Sequence, residues 1–291
     1  MKLRVKRVNA FTESLDGGNS AGVIINSPKL TENQMKDITK ILSVSETAFV
    51  FPSNVADYKI RFFSPTLEVD LCGHATIATF FTMGQEGIIT KTDEIVTVDQ
   101  ETKAGILPVD IHFKDDSVEK VMMTQAKPIY KDIHLDTFKI ADSLNISVED
   151  IDDSFPKQIV STGLFTLPLC IKSFDVLKTI KPDFEKIKKM CKRLGTGSFH
   201  LFTFDTVEPK STYHARNFCP LYGITEDTVT GTANGAVSSY LVKNGIIKDK
   251  KLICEQGDVI GRPGRVFVEI DGDVVKVGGK ARIVEEREIE F

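Results

Sequence analysis

The chain has 291 residues, of which 41% are hydrophobic and 27% charged, with a formal net charge of -4. This length fits two domains or one large one, with enough buried surface to need no disulfide or metal staple. Lysines are scattered rather than gathered, which excludes the basic stripe of a nucleic-acid binder, and no apolar run is long enough to span a bilayer. From the N-terminus, Lys2 to Phe11 alternates polar and apolar residues, a strand pattern and not a signal peptide. A helix is expected from Thr31 to about Leu42, opened by a capping box of Thr31 and Gln34. Strands follow at Tyr58 to Phe63, Ile95 to Val98 and Ile106 to Phe113, with a helix between them from Ala75 to about Met83. Further helices are expected over Phe184 to Arg193 and Ala233 to Val242, and strands over Val266 to Ile270 and Val274 to Val277.

Strands come in runs broken by single helices, so the fold class is α+β and not doubly wound. Gly195-Thr196-Gly197 lacks the third glycine of a dinucleotide fingerprint and precedes a strand, so no nucleotide cofactor is expected. The cysteines Cys72, Cys170, Cys191, Cys219 and Cys254 are odd in number and far apart, as free thiols in the cytoplasm would be. Histidines are equally dispersed, without CxxC or HxxxH spacing, and no metal site is expected.

The informative feature is an internal repeat. Arg61-Phe62-Phe63-Ser64-Pro65 leads through an acidic loop to Cys72-Gly73-His74-Ala75, and Arg216-Asn217-Phe218-Cys219-Pro220 leads through another to Thr230-Gly231-Thr232-Ala233. The two copies differ in spacing by three residues, all in the loop. Such a repeat implies two domains of one architecture, each with a central helix of small residues packed closely inside a curved sheet. The boundary falls near Gln125, giving a first domain of residues 1–124 and a second of 125–280.

A glycine just before a helix leaves the first N–H groups accessible at the positive end of the dipole, so Gly73-His74 and Gly231-Thr232 would clamp a small carboxylate if the halves face each other. The same glycines would also serve close helix packing. Glu46, His74 and Asp227 lie beside such turns among apolar or small residues. Desolvation raises a carboxylate's pKa toward the range where it can accept and return a proton, and Glu46, followed by an apolar run and free of adjacent cations, is best placed for this. A solvent-facing junction residue is the alternative for Glu46, a helix-capping core residue for His74, and an ordinary acidic loop residue for Asp227. His74 at a helix mouth is expected to stay neutral and to donate to a substrate oxygen.

Four blocks resemble the signatures of the phenazine-biosynthesis PhzF-like family. They are Asn9-Ala10-Phe11-Thr12 with Gly17 to Val23, Ser45 to Val50, Arg61 to Pro65 with Glu68 to Thr76, and Gly223 to Ala233. The resemblance spans the chain. It implies a diaminopimelate-epimerase-like fold of two similar barrel-like β domains, each wrapped around a central helix, with the last strand, 281–291, returning to the first domain. It also implies a cofactor-free isomerase acting in the cleft between the halves, and a homodimer. Matched residue by residue, Glu46 would be the acid/base, His74 and Asp227 its polar partners, and Asn19, Ser45, Gly73, Gly231 and Thr232 the residues that position the ligand. The expected partner is a small carboxylate-bearing metabolite.

Thr232 departs from the serine usual in phenazine-pathway members, which puts that pathway's substrate in doubt. Two-thiol epimerases of the same fold would need cysteine at both Cys72 and Thr230, so that mechanism is not expected. A dehydratase using the single thiol of Cys72, or a non-catalytic small-acid sensor, are the rival functions.

Overall fold

The computed structural model describes residues 2–27 and 29–290. The chain divides into two units, Met1–Thr124 with Gly278–Phe291, and Gln125–Val277.

In the first unit the opening alternation forms β1 (Lys2–Ala10), paired antiparallel with β2 (Asn19–Ile24). The strand stops before Phe11, whose φ of 65° turns the chain out of the ladder while its ring stays buried. Gly18, at φ +67°, brings the chain back; a Cβ there would lie 2.1 Å from the Ala10 carbonyl oxygen, so only glycine fits. Helix α1 (Glu32–Leu42) starts at its capping box: Thr31 Oγ1 accepts from the Gln34 N–H, and Gln34 Oε1 accepts from the Thr31 N–H. Its Met35, Ile38 and Leu42 pack among Leu3, Val5, Ile24, Phe49 and Phe63.

Strand β3 (Glu46–Phe51) runs parallel to β2, β4 (Tyr58–Phe63) antiparallel to β3, and the short β5 (Glu68–Val69) antiparallel to β4. After the central helix α2 (Gly73–Gln85), strands β6 (Ile95–Thr102), β7 (Gly105–Lys114) and β8 (Ser117–Thr124) form an antiparallel meander. Ala75 to Met83 are all buried, as a helix without a polar face must be, and strands β1, β2, β3, β7 and β8 pack on α2. The hydroxyls of Thr76, Thr79 and Thr82 donate to carbonyls four residues back at 2.8, 2.7 and 2.7 Å, which satisfies them inside the core.

The second unit contains β9 (Ile129–Asp132), α3 (Thr137–Leu144), β10 (Gln158–Ser161), β11 (Phe165–Cys170), α4 (Phe174–Thr179), α5 (Phe184–Leu194), β12 (Ser198–Thr203), β13 (Tyr213–Cys219), β14 (Ile224–Asp227), α6 (Gly231–Lys243), β15 (Lys251–Gln256) and β16 (Gly264–Asp271). Strand β17 (Val274–Gly279) begins in it, and β18 (Ala281–Glu290) lies in the first unit, antiparallel to β1. Helices α3 and α4 are too short for a clear apolar period; Asp136 and Ser173 cap them, and Ile140, Leu144 and Leu177 join Ile187 and Cys191 of α5 in one core. Gly195 is the left-handed stop of α5, at φ 69°, which accounts for the first glycine of the Gly-Thr-Gly run.

The repeat is visible in the topology. Parallel β2 and β3 flank α1, and parallel β11 and β12 flank α4 and α5. Hairpin β4–β5, central helix α2 and a strand parallel to β4 recur as hairpin β13–β14, central helix α6 and a strand parallel to β13. This is an α+β fold of two like halves, each with a central helix against its sheet. Among the described residues no helix is long and apolar enough to cross a membrane, and all five cysteines are buried.

Candidate active site

Both central helices open on a glycine. Gly73 follows Cys72 as N-cap and Gly231 follows Thr230, both caps in extended backbone, and neither cap side chain bonds its helix. The first turn of each also carries no acidic residue. The first helical bonds run from the Thr76 N–H to Cys72 O at 2.9 Å and from the Asn234 N–H to Thr230 O at 3.2 Å. The preceding N–H groups therefore face out of each helix start, along the positive end of its dipole.

In the first unit, polar side chains gather at the start of α2. Glu46 is the first residue of β3, beside Ala21 of β2, and Asn19 stands two residues earlier on the face of Ala21. Glu46 Oε2 lies 3.4 Å from His74 Nε2, with the two side chains 19% and 12% exposed. Ser45 Oγ is also 3.4 Å from that nitrogen. On its other side the imidazole meets Cys72, whose Sγ is 3.4 Å from Nδ1 and 3.9 Å from Nε2. Thr47 to Val50 behind Glu46 are buried, so its partly exposed carboxylate stands at the rim of the core.

In the second unit, Asp227 ends β14, and its Oδ2 accepts a hydrogen bond from Thr230 Oγ1. Gln256, buried, ties this turn to the helix: its Oε1 accepts from the Thr230 N–H at 3.1 Å and from Asn234 Nδ2 at 2.8 Å, and its Nε2 donates to Asp227 O at 3.0 Å. Asn234 Oδ1 in turn lies 3.1 Å from Nε2 of buried His200, whose pKa burial lowers to about 4. Gly231 and Thr232 are the first two residues of α6, and the Thr232 carbonyl accepts from Thr162 Oγ1 at 3.1 Å.

The residues singled out in the sequence thus fall into two sets. Asn19, Ser45, Glu46, Gly73 and His74 belong to the first unit, and Asp227, Gly231 and Thr232 to the second. Sequence reading passed over the supporting glutamines. Gln100 Oε1 lies 3.5 Å from Thr76 Oγ1, while Gln256 Oε1 accepts from Asn234 Nδ2 at 2.8 Å, and Thr76 and Asn234 are each the fourth residue of a central helix. The signal was present: each glutamine follows that fourth residue by 24 or 22 positions, so extending the repeat past the helix finds the pair.

The family model for phenazine biosynthesis-like proteins matches residues 8–287. The "uncharacterized isomerase YfhB" of Bacillus subtilis is 37% identical, covering 96% of this chain and 93% of that protein. The trans-2,3-dihydro-3-hydroxyanthranilate isomerase of Pseudomonas chlororaphis is 27% identical, covering 91% and 89%. The crystal structure of a Bacillus anthracis phenazine biosynthesis protein of the PhzF family superposes with a TM-score of 0.90 at 34% identity, with both chains fully covered at 100%. With its repeated halves, its paired helix starts and a match over nearly its whole length, the chain belongs to the phenazine biosynthesis-like family of PhzF, whose relatives named above include isomerases.

Proposed function

We propose that the chain is a cofactor-independent isomerase that moves a proton on a small carboxylate-bearing substrate, with Glu46 as general acid/base. The observation that supports this is the 3.4 Å approach of Glu46 Oε2 to His74 Nε2 beside the uncapped start of α2. The substrate carboxylate takes hydrogen bonds from N–H groups at Gly73 and His74, and the start of α6 at Gly231 and Thr232 offers donors of the same kind. Glu46, as carboxylate, removes a proton from one carbon, and the acid so formed returns it to another, so the enzyme ends as it began and no oxidant enters the balance. His74 donates to the oxygen on which negative charge collects, and Ser45 and Asn19 orient the rest of the ligand. Asp227, fixed by Thr230 and Gln256, binds a polar substituent. The Pseudomonas relative is named for an anthranilate-type acid; Thr232, with one methyl more than serine, favours a substrate of different shape here.

Solvent deuterium exchange into a panel of small acids tests the assignment. Wild type should catalyse exchange, and Glu46→Gln should lose about 10²–10⁴-fold of the rate, the usual contribution of a positioned acid/base. Exchange that survives Glu46→Gln sinks the reading. The Cys72 Sγ to His74 Nδ1 contact of 3.4 Å favours one rival, a thiol base activated by imidazole. Loss of exchange in Cys72→Ala with retention in Glu46→Gln would establish it, whereas tight binding without exchange in any protein would mark a sensor.

A further inference from the structure

The histidine that faces Glu46 also faces a thiol, and the three side chains have the spacing of a metal site. Ligand-type atoms of Glu46, Cys72 and His74 all lie within 4.8 Å of one another. Around a tetrahedral zinc with bonds of ordinary length, a nitrogen and an oxygen ligand stand about 3.4 Å apart and a nitrogen and a sulfur about 3.6 Å. His74 Nε2 is 3.4 Å from Glu46 Oε2 and 3.9 Å from Cys72 Sγ. Side-chain rotations that draw the sulfur and the carboxylate inward by a few tenths of an ångström to about 1 Å would complete the face, leaving a fourth position for water.

We infer that Glu46, Cys72 and His74 form a three-ligand site for a borderline-soft divalent cation, zinc above all, whose occupancy reversibly blocks the enzyme. The donor set of one carboxylate, one imidazole and one thiolate is a zinc set rather than a magnesium or calcium one. Its charge balances: carboxylate and thiolate together offset the two charges of the ion. On binding, the Cys72 thiol gives its proton to solvent and forms the zinc–sulfur bond, while the carboxylate and neutral imidazole each donate a lone pair; nothing is oxidised or reduced. Among the described residues no other cysteine stands in a group of three such ligands, and burial raises the pKa of Cys170, Cys191, Cys219 and Cys254. The metal site stands on geometry alone; the block rests on the assignment of Glu46 as the acid/base, because the metal would occupy its carboxylate.

Calorimetric titration of metal-free full-length protein with zinc chloride, in two buffers of different ionisation enthalpy, tests the site. The expected result is one ion per chain, a Kd on the order of 1 µM or tighter, and proton release to buffer. Cobalt(II) should give a thiolate-to-metal charge-transfer band. Cys72→Ser and His74→Gln should each weaken zinc by at least ~100-fold, more than loss of an outer partner costs, and abolish or shift the band, whereas Cys191→Ser should change neither. Absence of wild-type binding up to about 100 µM, or stoichiometric binding unchanged in both Cys72→Ser and His74→Gln, overturns the site. Zinc should halt deuterium exchange and a chelator restore it. Exchange that continues with zinc bound overturns the block while leaving the site, and a metal-free enzyme without exchange overturns the Glu46 assignment instead.

Discussion

Arg216 grips Glu226 through two parallel hydrogen bonds, Nε to Oε1 and Nη2 to Oε2, each of 2.8 Å. Its Nη1 donates to the carbonyls of Leu177 and Ile180 at 2.9 and 3.1 Å, fastening the end of α4. In the first unit Arg61 holds Glu68 by the same fork at 2.7 and 2.9 Å. Each guanidinium also stands over the phenylalanine two residues on, at 5.0 Å for Phe63 and 4.8 Å for Phe218. The repeated R-x-F-x-P element is therefore a clamp on the hairpin before each central helix. Lysine keeps the charge but not the fork. The Arg216 side chain is 7% exposed and that of Arg61 26%, so Arg216→Lys should cost about 3 kcal/mol and Arg61→Lys about 1. Urea midpoints check this, and equal losses would contradict it.

Stability should fall with acid in two stages. His200, enclosed between Asn217 and Asn234, has its pKa lowered by burial from 6.5 to about 4. The unfolded chain takes up that proton near 6.5 and the folded one refuses it until about 4, so stability drops as pH falls between these values, by on the order of 3 kcal/mol in all. Glu68 is held at about 2 from 4.5, by the hydrogen bond from Arg61 and then by Lys103. Its contribution is complete above the unfolded value and is lost as pH falls from about 4.5 through about 2. His200→Gln should flatten the upper stage of the stability profile and leave the lower one.

Gly235 lies in α6 where a Cβ would come within 2.6 Å of Val277 Cγ1. Alanine there gains up to about 1 kcal/mol in helix propensity but overpacks the contact, at about 1–3 kcal/mol. Gly235→Ala should lower Tm, and Val277→Ala in the same chain should restore part of it. A rise in Tm for the single variant would show that β17 yields.

Gln256→Leu leaves the Thr230 N–H and Asn234 Nδ2 without their shared acceptor. A loss of about 1–3 kcal/mol is expected from thermal unfolding. With the Asp227 turn released, kcat/KM should fall about tenfold while Glu46-dependent exchange persists, if Asp227 orients the substrate as proposed. Unchanged kinetics would count against that role.

The long elements were legible because their periods are clean: Tyr58–Phe63 and the Thr31-capped helix stand where alternation and capping chemistry put them. The central helices run beyond the expected Ala75 and Ala233 to Gly73 and Gly231, since glycine is tolerated at a first turn that makes no helical bond. Helices α3 and α4 escaped because 8 and 6 residues carry too little pattern, and Phe138 of α3 is exposed. The approach of Glu46 to His74 follows from a parallel strand and a helix start separated by 28 positions, a relation that motif resemblance could suggest but spacing could not. The thiol is local to His74, two residues before it, but its approach to Glu46, like the contacts of the glutamines, is made by the fold.

Strand β18 closes against β1 across the full length of both, from Lys2 opposite Glu290 to Ala10 opposite Ala281. A ribosome therefore releases every residue of the Gln125–Val277 unit before it supplies the edge that finishes the earlier one. During synthesis the Glu46-bearing half therefore keeps an open sheet border until β18 emerges, and needs protection from aggregation for that time.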